Sequence, residues 1–549
     1  KMHAQPWKKT YQELGIPEEI NPDAYSSVAE LLEGAMTRFA DKTAFRCGSA
    51  ALTYADVDRI SGAVAAWLQN TLGVKRGDRV AVMLPNLLAF PLAFLGIMRA
   101  GAVQVNVNPM YTPRELEHQL NDAGAETIII FSGSTPTLAE IIGNTCVKTV
   151  IVAQPTDGTQ ASPAGPVVDP RLSKTTAFAQ VIHDGAGMSR QPVALNGDDL
   201  IFLQYTGGTT GLSKGASLSH RNLVANCEQF KQIVPDNIRP GEEVIVTALP
   251  LYHIFALMVN FIGYFSVGAE NWLVPNPRDM DGFIDTMKKA RPTVFMGVNT
   301  LYAGLANHPR IGEVDFSRLR LAGGGGAAVV AATSEKWQKV TGTFIKEGYG
   351  LSETSPVLSF NPAAVKEFSG TTGVPLPSTD IKLLDDAGEE VELGEAGEVC
   401  AKGPQVMRGY WNQPAANASA FTADGYFRTG DVGVFTEKGF LKIVDRKKDM
   451  IIVSGFNVFP NEIEEVVMAC PGVAECACVG VPDEKTGEAV KLVVARLPGA
   501  TLTEEEITAH CRKEMTAYKV PRIIVFIDAL PKSAVGKILR RELRGVAQA

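Results

Sequence analysis

The feature that most limits the fold is an alternation of strand and helix patterns over residues 24–125, taken up again over 199–356. VAELLEGAMTRFA (28–40) has apolar residues at helical spacing, and DRVAVMLP (78–85) reads as a buried strand. LLAFPLAFLGIMRAG (87–101) follows as a helix and AVQVNVNP (102–109) as another strand. Strand, helix and strand in succession favour a parallel sheet covered by helices, hence an α/β fold. Residues 154–196, rich in Pro, Gly, Ser and Thr, are expected to form an irregular surface excursion. From 371 to 445 the pattern changes to short strands and turns, as in DIKLLDDAGEEV, GEVCAKGP and GFLKIVD, which predicts an antiparallel β section. Residues 459–549 read helix, strand, strand, helix, strand, a compact α+β unit. The charged turn DRKKD (445–449) marks the expected boundary, with one part over 1–445 and another over 446–549.

Composition excludes several classes of function. A chain of 549 residues, 45% hydrophobic, holds more than one folding unit and enough apolar mass for a large core. The net charge of −8 argues against nucleic acid as a main partner. Eight cysteines are too few for a disulfide scaffold and fit a reducing cytosol. Cys476 and Cys478 form C-x-C without a second Cys or His pair at metal spacing, so they read as two thiols on one strand face. KMHAQPWKKTYQELGIPEEI has no apolar run of the secretory kind. The longest apolar run, LLAFPLAFLGIM, has 12 residues and contains Pro91, too short for a bilayer, so membrane contact would be peripheral.

YTGGTTGLSKG (205–215) concentrates glycines and hydroxyls and ends on a lysine. Backbone N–H groups of such a loop can form a nest for anionic oxygens, with hydroxyl donors from Thr206, Thr209, Thr210 and Ser213 and charge from Lys214. The strand-like DDLIFLQY precedes it, and SLSHRNLVANCEQF follows with Ser219 placed as a helix N-cap. Strand, Gly-rich loop and helix is a phosphate-binding arrangement. The Walker pattern fails, because Lys214 follows Ser213 and precedes Gly215. The loop alone points to phosphate, or to a polar turn.

With its neighbours, the loop resembles the signature of the adenylate-forming superfamily of acyl-CoA synthetases, peptide-synthetase adenylation domains and firefly-type luciferases. PLYHIFAL (250–257), LAGGGGAAV (321–329), EGYGLSET (347–354), DGYFRTGDVGVFTEKGFLKIVDRKKD (424–449) and PKSAVGK (531–537) follow in the order expected of that family. Within it, the chain is most similar to bacterial long-chain fatty acid–CoA ligases. The resemblance implies a large N-terminal AMP-binding domain of helix-covered β-sheets with a β-barrel-like section over about 371–445. It also implies a small mobile α+β C-terminal domain hinged near 445–449. The implied reaction joins a fatty acid to coenzyme A through an acyl-adenylate, using ATP and Mg²⁺. No covalent protein intermediate is needed; the chemistry asks for charge neutralisation and positioning.

Site residues follow from the same resemblance. Thr206, Gly207, Gly208, Thr209, Thr210, Gly211 and Lys214 would hold the leaving phosphates. Gly325, Gly326 and Ala327, with Glu347, Gly348, Tyr349 and Gly350, would line the nucleotide, Tyr349 against adenine. Ser352 would donate to the α-phosphate and Glu353 would hold Mg²⁺. Asp431 would accept from the ribose hydroxyls, Arg446 would contact ribose or phosphate, and Lys448 stands at the hinge. Lys537 would stabilise charge at the carboxylate and α-phosphate. His253, one of seven histidines, is expected to position substrate, with a satisfied core histidine as the competing reading. Phe255 and MGVNTLYAGL (296–305), including Val298, would wall an acyl tunnel. Where some relatives carry a lysine for the second step this chain has Ile452, so only Ser454 and Gly455 are carried over as contacts for coenzyme A. A fatty acyl-AMP ligase and an aryl acid–CoA ligase are the rival activities. Intact Lys537, Glu353 and Asp431 argue against a non-catalytic binding protein. The resemblance further implies a cytoplasmic enzyme, with a homodimer and contact on the inner membrane face as additional expectations.

Overall fold

The computed structural model describes residues 3–161, 165–206, 213–515, 517–533 and 536–547. Its first sheet has seven strands in the order Thr176–Ala177, Thr149–Ala153, Thr127–Phe131, Arg79–Met83, Val103–Asn106, Leu200–Tyr205, Gly215–Ser219. All neighbours run parallel except the last pair. Val80–Met83 and Ile128–Ile130 are buried without alternation, as both faces of a parallel sheet are covered. Helix Ala89–Arg99 is buried all round, with Pro91 in its first turn, where a missing N–H costs nothing. It packs on helix Tyr54–Leu72 so closely that a Cβ at Gly96 would lie 2.4 Å from Val64 Cγ1.

The second sheet has nine strands: Val374–Pro375, Val357–Phe360, Ile345–Gly350, Leu321–Gly324, Val294–Gly297, Val244–Thr247, Glu270–Leu273, Thr43–Cys47, Ala50–Thr53. Its middle is parallel and its ends are antiparallel. The pair Thr43–Cys47 and Ala50–Thr53 therefore joins strands from near residue 270, a pairing no local pattern announces. The β-rich section is an antiparallel meander of Asp380–Leu384, Gly397–Lys402, Phe427–Phe435 and Leu441–Arg446, its first and last strands at the two edges. A last sheet combines Ile451–Val453, Phe456–Val458, Val473–Asp483, Gly487–Arg496 and Ile523–Phe526, covered by helices Pro460–Met468 and Glu504–Glu514. Cys476 and Cys478 are buried in its core, and among the described residues no group of three or more acidic, His and Cys side chains is arranged to hold a metal.

The excursion over 154–196 departs from the expectation in one respect. Thr176–Ala177 adds a strand to the first sheet, and helix Phe178–Gly185 packs on Tyr54–Leu72 through Phe178 and Val181. Two apolar residues a turn apart outweigh the turn-rich flanks. Near the N-terminus, helix Trp7–Leu14 bridges the meander and the edge of the second sheet: Trp7 lies 5.4 Å from Phe435, ring to ring, and the Tyr11 hydroxyl donates to the Pro375 carbonyl. No helix among the described residues is long and apolar enough to cross a membrane.

Behind the second sheet, Trp337 is fully buried against Phe295, Tyr302 and Phe316, at centroid distances of 6.1, 4.8 and 5.4 Å. Trp337→Ala is expected to destabilise this part of the chain by about 3–5 kcal/mol, because so large a cavity cannot close. Denaturant unfolding of the full chain followed by far-UV dichroism reads it; an unchanged first midpoint would contradict the packing.

Candidate functional site

A cavity of about 1740 Å³ opens where the second sheet, the meander and the C-terminal sheet meet. It lies at the carboxyl ends of parallel strands, where open α/β sheets bind ligands. Leu321–Gly324 runs out into Gly325, Gly326 and Ala327, which form one wall. Ile345–Gly350 delivers Glu347, Gly348, Tyr349 and Gly350, and the single helical turn Ser352–Thr354 delivers Ser352 and Glu353. Phe427–Phe435 and Leu441–Arg446 are cross-strand partners that place Asp431 opposite Arg446. Thr206 enters from the end of Leu200–Tyr205.

Charges converge on this space. Arg446 Nε stands 3.5 Å from Asp431 Oδ1, and the Tyr349 hydroxyl donates to Asp431 Oδ2. Burial raises the Asp431 carboxyl, opposed chiefly by the Arg446 charge. Two oxygens with two acceptor sites each leave Asp431 room for further donors. Tyr410 donates to Glu353 Oε2 at 2.7 Å, and the Lys214 ammonium lies 5.3 Å from the Tyr410 ring centroid. Burial raises Glu353. Glu347, also buried, accepts from the Val329 N–H at 3.1 Å and is pushed up to about 8 by burial.

Lys537 enters from the C-terminal part. Gly536 is held by the Thr300 hydroxyl at 2.9 Å, and Ser533 N–H donates to the Lys537 carbonyl at 2.7 Å. The lysine stem passes over Gly326, whose φ is +79°; a Cβ there would lie 3.6 Å from Lys537 Cε and 3.2 Å from Val298 Cγ1. Burial and the Arg446 charge depress the Lys537 ammonium, while Asp431 and Glu353 favour it. On the apolar wall, His253 Nδ1 accepts from the Phe255 N–H at 3.3 Å, so the neutral ring carries its hydrogen on Nε2. The chain then runs into an unusual wide helix, Ala256–Gly263, which brings Val259 to the cavity beside Phe255, Val298, Met296 and Phe360.

Most residues expected from sequence thus share one cavity, Lys448 included. Lys214 stands beside it, behind Tyr410, with its carbonyl accepting from the Thr206 N–H at 3.0 Å. Gly207, Gly208, Thr209, Thr210 and Gly211 lie outside the described residues. Ser454 and Gly455 are not brought to the cavity. Both occupy the exposed hairpin turn between Ile451–Val453 and Phe456–Val458, with φ of 50° and 82°. Tyr410 escaped the sequence reading, because nothing local ties it to a carboxylate 57 residues away. Tyr252 escaped too: its buried hydroxyl has no partner among the described residues, and only its position beside His253 could have drawn attention.

Residues 32–411 match the AMP-binding enzyme family, and residues 462–537 match the AMP-binding enzyme C-terminal domain. The chain belongs to the AMP-binding enzyme family. It is 49% identical over 555 aligned positions to a long-chain-fatty-acid–CoA ligase of Escherichia coli O6:H1, covering 99% of this chain and 98% of that one. Among solved structures it resembles the anthranilate CoA ligase AuaEII in complex with anthranoyl-AMP, with TM-score 0.87 and 26% identity over 96% of this chain and 99% of that one. It also resembles ATP-bound MatB from Rhodopseudomonas palustris, with TM-score 0.81 and 32% identity over 94% and 98% of the two chains. The cavity fits the ligands of such an enzyme. It offers glycine backbone where a side chain would obstruct, cations from two directions, and buried carboxylates, Glu353 among them. The Glu353 carboxylate, held by Tyr410, suits Mg²⁺, which is bound through one or two carboxylates and takes its remaining ligands from water and substrate phosphates.

The imidazole of His253 is pushed from 6.5 down to about 3, first by burial and then by the Lys537 charge. The unfolded chain therefore binds the extra proton first. The stability held by the neutral ring is complete above pH 6.5 and is lost as pH falls toward about 3. His253→Gln is expected to unfold with a shallower dependence on acid between about pH 7 and about pH 5 than the parent chain. Denaturant midpoints across that range measure it; parallel slopes would contradict a buried neutral ring.

Proposed function

We propose that this chain is a long-chain fatty acid–CoA ligase. A fatty carboxylate attacks the α-phosphorus of ATP, giving acyl-adenylate and diphosphate. The thiol of coenzyme A then attacks the acyl carbon, its proton is lost, and AMP leaves. The observation that carries the reading is the convergence of Lys537, Asp431, Arg446 and Glu353 on one cavity that also has apolar walls at Phe255, Val259, Met296 and Phe360. Each buried CH₂ contributes about 0.8 kcal/mol, so such walls select an alkyl chain.

The residue roles are part of the proposal. Lys537 neutralises charge shared by the carboxylate and the α-phosphate in the first step, with no reorganisation needed once it lies over Gly326. Thr206 to Gly211 and Lys214 hold the departing diphosphate. Glu353 holds Mg²⁺, which supplies charge neutralisation for the phosphates, and Tyr410 orients that carboxylate. Ser352 donates to the α-phosphate. Asp431, fixed by Tyr349 and Arg446, accepts from the ribose diol, while the Tyr349 ring, Gly325, Gly326, Ala327, Glu347, Gly348 and Gly350 frame the nucleoside. His253 stays neutral and positions the carboxyl end of the substrate. Phe255 and Val298 wall the acyl chain. For the second step, residues 446–549 rotate against 1–445 about Lys448, carrying Lys537 out and Ser454 and Gly455 toward coenzyme A. The exposure of that hairpin supports this exchange. A cytoplasmic setting accords with eight unpaired cysteines.

Release of AMP and diphosphate from ATP and Mg²⁺, with a fatty acid series from medium to long chain and with or without coenzyme A, tests the activity. Catalytic AMP release is expected only with a long-chain acid and coenzyme A. Diphosphate release that ignores coenzyme A would mark an acyl-AMP ligase, and preference for benzoate-type acids an aryl acid ligase. Lys537→Ala is expected to slow acyl-adenylate formation by about 100- to 1000-fold, yet to leave thioester formation from supplied acyl-adenylate near the parent rate. Normal adenylation in that variant would remove Lys537 from the first step.

A further inference from the structure

Three residues after Lys537 the chain turns through Arg540–Leu543, and Arg540 enters an acidic cluster that the reaction does not use. Its Nη2 donates to both carboxylate oxygens of Glu464, on helix Pro460–Met468, and to Asn461 Oδ1 at 3.2 Å. Its Nη1 stands 4.0 Å from Asp445 and 4.0 Å from Asp449, the two carboxylates that bracket Lys448. Asn461 closes the other side. Its N–H donates to Asp445 Oδ2 at 2.9 Å, and its amide donates to the Val444 carbonyl at 2.9 Å. Asp445 and Glu464 are both buried. One guanidinium thus ties helix Pro460–Met468 to the connecting segment, three residues from the lysine.

Stability alone does not ask for this cluster, since apolar side chains of similar volume often serve as well as a buried ion pair. What a planar, forked cation adds is fixed geometry. The contacts divide at Lys448. The Glu464 pair lies wholly on the C-terminal side. The contacts of Arg540 with Asp445, and of Asn461 with Asp445 and Val444, cross it. Rotation at Lys448 would break the crossing set and leave the Glu464 pair intact.

We infer that Arg540 is a positioning residue for adenylation: latched to Asp445 across the hinge and to Glu464 behind it, it holds the Lys537 loop over Gly326, and the latch opens before thioester formation. The inference rests on the reading of Lys537 as the adenylation lysine. Arg540 touches no reacting atom, and its effect runs through Lys537.

The test separates the half-reactions in the full chain: acyl-adenylate formation from fatty acid and ATP, and thioester formation from supplied acyl-adenylate and coenzyme A. Arg540→Gln is expected to slow the first by about 10- to 100-fold, as loss of positioning does, and to leave the second within about twofold. Arg540→Lys, which keeps the charge and loses the fork, is expected to recover part of the first rate. Equal slowing of both steps, or no slowing of the first, overturns the inference. Asp445→Asn keeps the Glu464 pair, weakens the contacts across the hinge and leaves an amide oxygen to accept from the Arg446 N–H, so it decides the matter if Arg540→Gln does not fold. It too should slow adenylation alone, and an unchanged adenylation rate overturns the latch. Lys537→Ala is assayed alongside. Normal adenylation in that variant sinks the reading of Lys537 itself, whereas slow adenylation there with normal adenylation in the Arg540 and Asp445 variants sinks only the latch.

Discussion

A lysine ammonium held in a partly desolvated cavity between carboxylates is the interaction around which this molecule is arranged. Water would stabilise the Lys537 charge better than the cavity does, as its depressed proton affinity records. Asp431 and Glu353 offset part of that cost, and each is itself raised by burial. Each of the three is therefore harder to keep charged in this cavity than in water. That is a site tuned toward a ligand rather than toward the stability of the empty fold.

The surrounding architecture follows from what must meet there. Lys537 comes from the C-terminal part, Asp431 and Arg446 from neighbouring strands of the meander, Glu353 from a turn between two strands of the second sheet, and Thr206 from a strand end of the first. Each sheet supplies a strand end or a turn, and none supplies the site alone. Aromatic hydroxyls do the local holding: Tyr349 fixes Asp431 and Tyr410 fixes Glu353. The apolar side of the cavity is built differently, by the wide helix Ala256–Gly263 and the apolar ends of the second sheet. The cluster of Arg540, Glu464 and Asp445 sits just behind the lysine and joins this geometry to the segment about which the C-terminal part would turn.

Much of this was legible in the chain itself, for local reasons. Strand and helix patterns over 78–109 became Arg79–Met83, Ala89–Arg99 and Val103–Asn106, because buried parallel strands are continuous apolar runs. The run EGYGLSET, the glycines of LAGGGGAAV and the lysine of PKSAVGK declare their chemistry because the groups a ligand needs are adjacent in sequence. Tyr410, Arg540 and the high proton affinity of Glu347 stayed hidden, since each depends on a partner or on burial supplied from far along the chain.

The sequence by itself determined the class of fold, the order of the sheets' building blocks, the AMP-binding family and most of the candidate site residues. Periodicity and short motifs are local properties that a linear chain states outright. Only the tertiary structure decided that Lys537 lies over Gly326 while Ser454 and Gly455 stay outside the cavity. It alone set strand Thr43–Cys47 beside Glu270–Leu273, and a neutral His253 near a cation. Those outcomes depend on which distant surfaces exclude water together, and desolvation and Coulomb forces act through space rather than along the chain.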